Sequence, residues 1–179
     1  MTLQIEITSP RLRLMALGRD ELQTLLDSPS HLQEELNITL CEGLMEGRVK
    51  HAIGRKLAMM AGAQPVDHPW FTFWLILKDD SGEGVGLAGF KGLPDDQGVA
   101  EIGYGMATGQ RGYGMMTEAV GRLAVWGFQT GRCHAVSATT DRSNRASQRV
   151  LEKNGFVLIH ENDKEMKWLL AKGGQWSPS

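Results

Sequence analysis

The sequence has few cysteines and no long hydrophobic run, and each absence excludes a class of protein. Its two cysteines, Cys41 and Cys133, form no Cys-x-x-Cys pair, so neither a zinc site nor a disulfide framework is predicted. No apolar run reaches the length that crosses a bilayer, and residues 1–6 lack the basic-then-apolar pattern of a signal peptide. We therefore expect a cytoplasmic protein with no membrane partner and no metal.

The sequence also lacks an excess of charge of one sign. Its 19 Lys and Arg residues stand against 21 Asp and Glu residues, which gives a formal net charge of -2. Domains that bind nucleic acid usually carry a clustered basic excess, so direct nucleic-acid binding is not expected. The length of 179 residues and the 41% of hydrophobic residues suit one globular domain. We expect that domain to span residues 1–179, with a frayed tail at residues 173–179.

The order of the predicted elements indicates an α+β fold. Alternating and apolar segments between turn signals predict strands at residues 11–14, 70–77, 85–90, 99–106, 133–138, 156–159 and 166–170. Helical spacing predicts a first helix with Asp20 as its N-cap and three further helices at residues 44–61, 115–130 and 141–154. Residues 29–43 are predicted as loop or short helix. Residues 101–138 form one strand–helix–strand crossover, which predicts a parallel strand pair inside a mostly antiparallel sheet.

A glycine-rich loop between a predicted strand and a predicted helix carries the strongest functional signal. It comprises Gly109 to Glu118 and includes Arg111, Gly112 and Gly114. The first amides of a helix have no partner within the helix and carry partial positive charge. Glycines leave room for a phosphate to approach those amides, and Arg111 adds a formal positive charge. The pattern therefore predicts a diphosphate site, although glycines of this spacing also serve simply as a turn.

Two other phosphate motifs do not fit this loop. A P-loop requires Lys followed by Ser or Thr after its last glycine, and here Met115 and Met116 follow. A dinucleotide fingerprint would require a third glycine where Thr108 or Thr117 stands. The preceding strands also do not alternate with helices, as a Rossmann fold demands.

The loop resembles the coenzyme A loop of the GNAT acetyltransferase superfamily. That family's pattern, Arg/Gln-x-x-Gly-x-Gly/Ala, matches Arg111-x-x-Gly114-x-Met116, with Met116 in place of the final small residue. Other blocks resemble the RimJ/RimL-like branch, which includes N-terminal acetyltransferases of ribosomal proteins. They are residues 8–14, Glu101 to Tyr104, Thr117 to Ala119, and residues 144–156 with their Asn-x-x-Ser and Asn-Gly-Phe patterns. The resemblance extends over residues 8–170.

The resemblance implies a fold and a cofactor site. The expected fold is a GNAT fold, with helices on both faces of a mixed, mostly antiparallel sheet whose central parallel pair splays apart. Acetyl-coenzyme A is the implied co-substrate, its pantetheine arm lying in the gap between the splayed strands. The residues that the resemblance assigns to cofactor binding are Tyr104, Met106, Thr108, Arg111, Gly112, Tyr113, Gly114, Met116, Thr117 and Asn144. A backbone amide near Met106 is the implied oxyanion donor.

Two residues are candidates for catalysis. Glu101 is the candidate general base, directly or through water, because an amine is mostly protonated at pH 7; its alternative role is a salt bridge. Many relatives have a tyrosine that acts as general acid seven residues after the residue equivalent to Asn144, and this chain has Leu151 at that position. By resemblance, Ser147 is the candidate that protonates the leaving sulfur, and its alternative role is a hydrogen bond within its helix.

The predicted reaction is acetylation of a primary amine, and the acceptor stays open. It is either a protein N-terminus, as the branch suggests, or a small amine. The segment between the first two predicted helices is acidic, and it forms either a solvated surface or a wall for a cationic acceptor. Its acidic residues are Asp27, Glu34, Glu35, Glu42 and Glu46. A non-catalytic coenzyme A-binding module and a nucleotide-binding protein are the alternative functions. Homodimers are common in this branch, so a homodimer is an alternative to a monomer.

Overall fold

A computed structural model describes residues 4–174, which form a mixed nine-stranded sheet covered by helices. The strands are β1 Glu6–Thr8, β2 Leu12–Ala16, β3 Thr39–Leu40, β4 Trp74–Lys78, β5 Glu83–Phe90, β6 Val99–Met106, β7 Ala135–Asp141, β8 Val157–Glu161 and β9 Glu165–Ala171. The α-helices are α1 Arg19–Asp27, α2 Pro29–Leu36, α3 Val49–Ala61, α4 His68–Phe71, α5 Met115–Gln129 and α6 Arg145–Lys153. The prediction of a frayed tail falls mainly on residues 175–179, outside the described residues.

The strands lie in the order β1-β2-β4-β5-β6-β7-β9-β8, and β3 pairs with β5 beside this path. The pairs along the path are antiparallel except for β6 and β7, which are parallel. The short strand β3 also pairs with β5 in parallel. The predicted α+β architecture, with a parallel pair inside a mostly antiparallel sheet, is therefore confirmed.

The sheet buries a separate hydrophobic core on each face. Successive strand residues point to opposite faces, so Leu14 and Ile76 pack in the core that contains α5, whereas Met15 and Leu75 pack in the core that contains α1, α2 and α3. This alternation explains why these strands are apolar almost throughout and why helices cover both faces, as predicted.

The parallel pair separates soon after it forms. β6 pairs with β7 only over Val99–Glu101 and Ala135–Ser137. Beyond those residues β6 continues along β5 to Met106, while β7 continues along β9 to Asp141. A gap therefore opens between the carboxyl ends of the two parallel strands, and the predicted central splay is confirmed.

The predicted strand at residues 70–77 was wrong at its start. Pro69 stands in the first turn of α4, where its missing N–H costs nothing, and Trp70 belongs to this helix. The Trp70 ring lies 4.7 Å from that of Phe90 and 4.9 Å from that of Trp126. β4 begins only at Trp74, because Trp70 and Phe71 belong to α4 and pack into the core from that helix.

The starts of three helices also differ from prediction. α1 has Gly18, not Asp20, at its N-cap, and the Gly18 amide donates to Glu21 Oε2 at 2.6 Å. α3 begins at Val49, not at residue 44, because Gly43 and Gly47 adopt positive φ. α6 begins at Arg145, since residues up to Asp141 extend β7.

Within residues 4–174, no helix is both long enough and apolar enough to cross a bilayer.

Candidate active site

The backbone of β6 exposes polar groups to the gap between the splayed strands. The Ala107 amide donates to Val85 O and the Lys91 amide donates to Glu101 O at the two ends of the β5–β6 ladder. In an antiparallel ladder, hydrogen-bonded pairs alternate with non-hydrogen-bonded pairs. The amides and carbonyls of Tyr104 and Met106 therefore point away from β5 and into the gap, which β7 has already left.

The glycine-rich loop presents a run of free backbone amides. Among the described residues, the amides of residues 112–117 donate no hydrogen bond to the protein. Gly112 and Gly114 have φ of 89° and 76°, a conformation that favours glycine, and a Cβ on Gly112 would meet no atom within 4 Å. The loop is thus open, and the positive end of α5 lies directly behind it. This arrangement suits an anion with several oxygens.

Arg111 lies between this loop and the end of β6. Its Nε donates to Met106 O at 3.2 Å, and its exposed guanidinium also lines the cavity described below. Thr108 lies in a short 3-10 turn between the two and lines the same cavity. Of the predicted cofactor residues, Tyr104, Met106, Thr108 and Arg111 therefore line one cavity.

A second arginine, which the sequence did not identify as a site residue, holds the loop in place. Arg11 Nη1 donates to Tyr113 O at 3.0 Å, and Arg11 Nε donates to Glu118 Oε2 at 2.8 Å. Ser9 Oγ also donates to Glu118, at 2.6 Å. Partial burial raises the pKa of Glu118, but the hydrogen bonds from Ser9 and Arg11 outweigh it and hold that pKa below its usual value. The turn between β1 and β2 is thereby tied to the first turn of α5.

The side chain of Met116 does not obstruct the loop. It is 8% exposed and packs in the core beneath α5, while its amide stays on the loop side. Thr117 O accepts a hydrogen bond from Asn154 Nδ2 at 3.0 Å, which ties α5 to the end of α6. A Cβ on Gly121 would lie 2.6 Å from Asn154 Oδ1, so a larger residue there would displace the Asn154 side chain. The Asn-Gly-Phe pattern therefore supports the helix that carries the loop.

The side chains of Tyr104 and Ser147 meet across the gap. The Tyr104 hydroxyl lies 2.8 Å from Ser147 Oγ and donates to Ser147 O at 3.3 Å. Burial raises the pKa of Tyr104 to about 12, against the lowering effect of the bond with Ser147, so the phenol stays protonated at neutral pH. The sequence resemblance had suggested only a backbone role for Tyr104. This contact joins β6 to the first turn of α6.

Asn144 caps α6. Its Oδ1 accepts a hydrogen bond from the Ser147 amide at 3.1 Å, and the side chain is exposed. This is the structural role that the sequence left open beside cofactor binding. The cap also fixes the first turn of α6, on which Ser147 stands, and its binding role stays a prediction.

Glu101 lies on the α1–α3 face of the sheet at the end of the paired part of β6. Its carboxylate forms an ion pair with Lys91 Nζ, and its side chain is 35% exposed. Gly103 and Gly105 follow on the same face of β6 and carry no side chain that would separate Glu101 from the cavity. The salt-bridge role that the sequence left open is thus present, and the carboxylate stays accessible to water.

A cavity of about 890 Å³ lies on this face, between β6, β5, α3 and the loop before α3. Its apolar lining includes Val49, Met59, Phe73 and Leu87. Of the five acidic residues that the sequence offered as a wall, only Glu46 lines it. No cluster of three metal-ligating side chains occurs in the part of the chain that the structure describes.

The profile of the family described as "Acetyltransferase (GNAT) domain" matches residues 13–157, which is most of the chain. The chain belongs to the GNAT acetyltransferase family. A curated relative, the "Uncharacterized N-acetyltransferase YjdG" of Bacillus subtilis (strain 168), is 35% identical over 99 residues, which cover 55% of this chain and 59% of the relative. This GNAT chain spans about half the length of the curated relatives it matches.

Solved structures share the fold along nearly the whole GNAT chain. The ribosomal-protein-S5-alanine acetyltransferase of Vibrio fischeri has a TM-score of 0.68 at 15% identity, covering 97% of this chain and all of that one. RimL, a ribosomal L7/L12 alpha-N-protein acetyltransferase solved in complex with coenzyme A, has a TM-score of 0.64 at 19% identity, covering 96% and 100%. The predicted resemblance to the RimJ/RimL-like branch is therefore confirmed at the level of the fold.

Proposed function

We propose that this GNAT domain transfers the acetyl group of acetyl-coenzyme A to a primary amine. The observation that carries the proposal is the run of unpaired amides at residues 112–117 beside a gap that exposes the polar backbone of Tyr104 and Met106. A diphosphate needs the first feature, and an extended amide-containing arm needs the second. Family membership supports the same co-substrate.

The residues present fit acetyl-coenzyme A. The amides of 112–117 and the guanidinium of Arg111 would hold the diphosphate, because an anion is stabilised at the positive end of a helix. The backbone of β6 at Tyr104 would pair with the pantetheine arm as an added strand does. When bound, acetyl-coenzyme A supplies an activated acyl group, so the protein has mainly to position it beside the amine. Positioning of this kind contributes up to roughly 7–11 kcal/mol.

Glu101 would prepare the amine. A primary amine is protonated at neutral pH and must lose a proton before its nitrogen can form the new C–N bond. The Glu101 carboxylate would take that proton, directly or through water, on the cavity face of β6. Its ion pair with Lys91 holds the carboxylate in position on that face.

The Met106 amide and the hydroxyl pair would act on the two atoms that gain charge. As the C–N bond forms, negative charge develops on the carbonyl oxygen, and the Met106 amide would donate to it from the gap. Removing such a donor typically costs about 2.7–4 kcal/mol. As the C–S bond breaks, charge passes to the sulfur, and the Ser147 hydroxyl would donate to it, oriented by Tyr104.

A protein N-terminus is the acceptor that the solved neighbours suggest. Two of them are named as acetyltransferases of ribosomal proteins, one for S5 alanine and one for L7/L12. A cavity of about 890 Å³ admits either the first residues of a peptide or a small amine. A homodimer is compatible with either acceptor.

A thiol-release assay with a panel of amines and N-terminal peptides tests the proposal. Acceptor-dependent release of coenzyme A, with the acetyl group recovered on the amine, is the expected result. Tight binding of coenzyme A without release for any acceptor would favour the non-catalytic module instead. A larger thermal shift with ATP or NAD than with acetyl-coenzyme A would favour a nucleotide-binding protein.

Replacement of the proposed base gives a first mutational prediction. Glu101→Gln keeps the shape of the side chain but removes the proton acceptor, so kcat should fall about 10²–10⁴-fold at pH 7. The loss should shrink as the pH rises and the free amine becomes abundant. A pH–rate profile for the two proteins checks this, and an unchanged kcat at pH 7 would exclude Glu101 as the base.

A further inference from the structure

The cavity on the α1–α3 face is lined by more cationic than anionic side chains. Its cationic lining residues are Arg48, Arg55, Lys56, Lys91 and Arg111, whereas Glu46 is its single acidic one. Arg111 lies on the side of the diphosphate loop, and Lys91 is neutralised by Glu101. Three basic side chains, Arg48, Arg55 and Lys56, and one carboxylate therefore remain for a ligand that enters the cavity beside β6.

The helical spacing of α3 brings these cations together. Arg48 stands at the N-cap, and Ala52, Arg55, Lys56 and Met59 each lie three or four residues from another member of this set. Residues with this spacing share one face of a helix. The face combines an apolar strip with cationic groups, and it is the face that α3 turns toward the cavity.

None of the three cations has an acidic partner within residues 4–174. Arg48 and Arg55 are exposed and form no ion pair there. Lys56 is only 6% exposed, and its Nζ donates to Phe90 O at 2.7 Å and to Phe71 O at 3.3 Å. Burial lowers the pKa of Lys56 to about 7, and an anion bound beside it in the cavity would favour its charged form.

We infer that the acceptor amine of this domain carries a carboxylate or phosphate group, which Arg48, Arg55 and Lys56 hold while the amine faces the Met106 end of β6. The inference rests on the proposed acetyl transfer and narrows its acceptor. A polyamine would meet like charge, since Glu46 alone cannot compensate both Arg48 and Arg55. The acceptor is an N-terminus followed by acidic residues or a small amine with an anionic group.

Acetyl-transfer kinetics with charge-matched acceptors test the inference. One arm compares peptides that begin Ala-Asp-Glu with peptides that begin Ala-Asn-Gln and Ala-Lys-Lys. The other arm compares free amino acids and an amino sugar phosphate with the corresponding amides and unphosphorylated sugar, alongside spermidine. In at least one arm, the anionic acceptor should have a kcat/KM at least tenfold above that of its neutral analogue. The arm that shows this preference tells whether the acceptor is a peptide N-terminus or a small amine.

Charge variants on α3 connect that preference to the cavity. Arg55→Glu should abolish the tenfold preference and leave the KM for acetyl-coenzyme A unchanged. Lys50→Glu makes the same change of charge on an exposed position of α3 that does not line the cavity, and it should keep the preference. Arg48→Gln, at another exposed position, repeats the test with a smaller change of charge.

The outcomes separate this inference from the proposed function. Transfer to neutral or cationic acceptors that equals transfer to anionic ones would overturn the inference while supporting acetyl transfer. A preference that Arg55→Glu and Arg48→Gln both leave unchanged would also overturn it. Absence of transfer to every acceptor would contradict the proposed function itself, and the inference with it.

Discussion

At the scale of single residues, the contact between Tyr104 and Ser147 bears most on the proposed chemistry. The two hydroxyls are 43 positions apart in sequence and 2.8 Å apart in the structure. Leu151 stands where many relatives place a tyrosine acid, and a tyrosine hydroxyl instead reaches the same helix from β6. Because its pKa is raised to about 12, this phenol would orient Ser147 as a hydrogen-bond donor rather than give up its own proton.

Ser147→Ala and Tyr104→Phe each remove one hydroxyl of this pair. We expect both to lower kcat, Ser147→Ala by tenfold or more and Tyr104→Phe by less, because only Ser147 would touch the sulfur. The KM for acetyl-coenzyme A should change little, since neither hydroxyl faces the diphosphate loop. Steady-state kinetics measure this, with Ser143→Ala, an exposed serine just before α6, as the matched control. Wild-type kcat in Ser147→Ala would remove Ser147 from the mechanism.

At the scale of elements, the loop before α5 depends on local and on distant contacts. The local part was predictable, because Arg111, Gly112 and Gly114 are adjacent and glycines before a helix indicate an anion site. The distant part was not, since Arg11 lies 107 positions from Glu118 and no sequence pattern states that the two meet. For the same reason the strand starting at residue 70 was wrong, because burial against Trp126 decides the conformation of Trp70.

Gly112→Ala tests the element as a binding site. An L-residue at φ of 89° is strained by about 1–2 kcal/mol, and the free loop can relax while the bound loop must return to this conformation. The Kd for acetyl-coenzyme A should therefore rise about 5- to 30-fold, whereas the Kd for S-acetylpantetheine, which lacks the diphosphate, should not. Calorimetry measures both.

Gly109→Ala is the matched control for this loop variant. Its φ lies outside the positive range, and a Cβ there would meet no atom within 4 Å. It should bind acetyl-coenzyme A as the wild type does. Equal losses for both ligands in Gly112→Ala would indicate a general disturbance of the loop and would contradict a specific role in diphosphate binding.

At the scale of the whole molecule, the sheet separates two environments. The side chains of Tyr104 and Met106 pack with the core on the α5 face, whereas α3 contributes its basic side chains to the cavity on the other face. The fold class, the parallel pair and the loop were predictable from alternation and glycine placement. The cationic cavity was not, because a net charge of -2 averages over the surface and the acidic segment before α3 suggested the opposite sign.

Lys56 should leave a signature in the stability of the whole domain. Burial, reinforced by the nearby Arg55 and Lys91 charges, lowers the pKa of Lys56 to about 7. Below pH 7 it is charged in both the folded and the unfolded states. Between pH 7 and about 10 the folded protein releases this proton while the unfolded chain keeps it, so the folded state gains stability as the pH rises.

Lys56→Met removes this titration. The free energy of unfolding of the wild type should rise relative to that of the variant by at most about 1.4 kcal/mol per pH unit from pH 7 upward. Urea unfolding at pH 7, 8 and 9 measures the free energy of unfolding of both proteins. The contributions of the other titrating groups cancel in the difference between them. Lys50→Met, at an exposed position of α3, should run parallel to the wild type. A constant difference between Lys56→Met and the wild type would show that Lys56 has an ordinary pKa.

The most direct test of the account follows the backbone amides of residues 112–117 by ¹H–¹⁵N NMR during titration. With coenzyme A these amides should shift strongly and exchange more slowly with solvent, because each gains an oxygen acceptor that the protein does not provide. With S-acetylpantetheine they should stay in place while the Tyr104 and Met106 amides shift. Saturating binding of coenzyme A that leaves residues 112–117 unmoved would contradict the account.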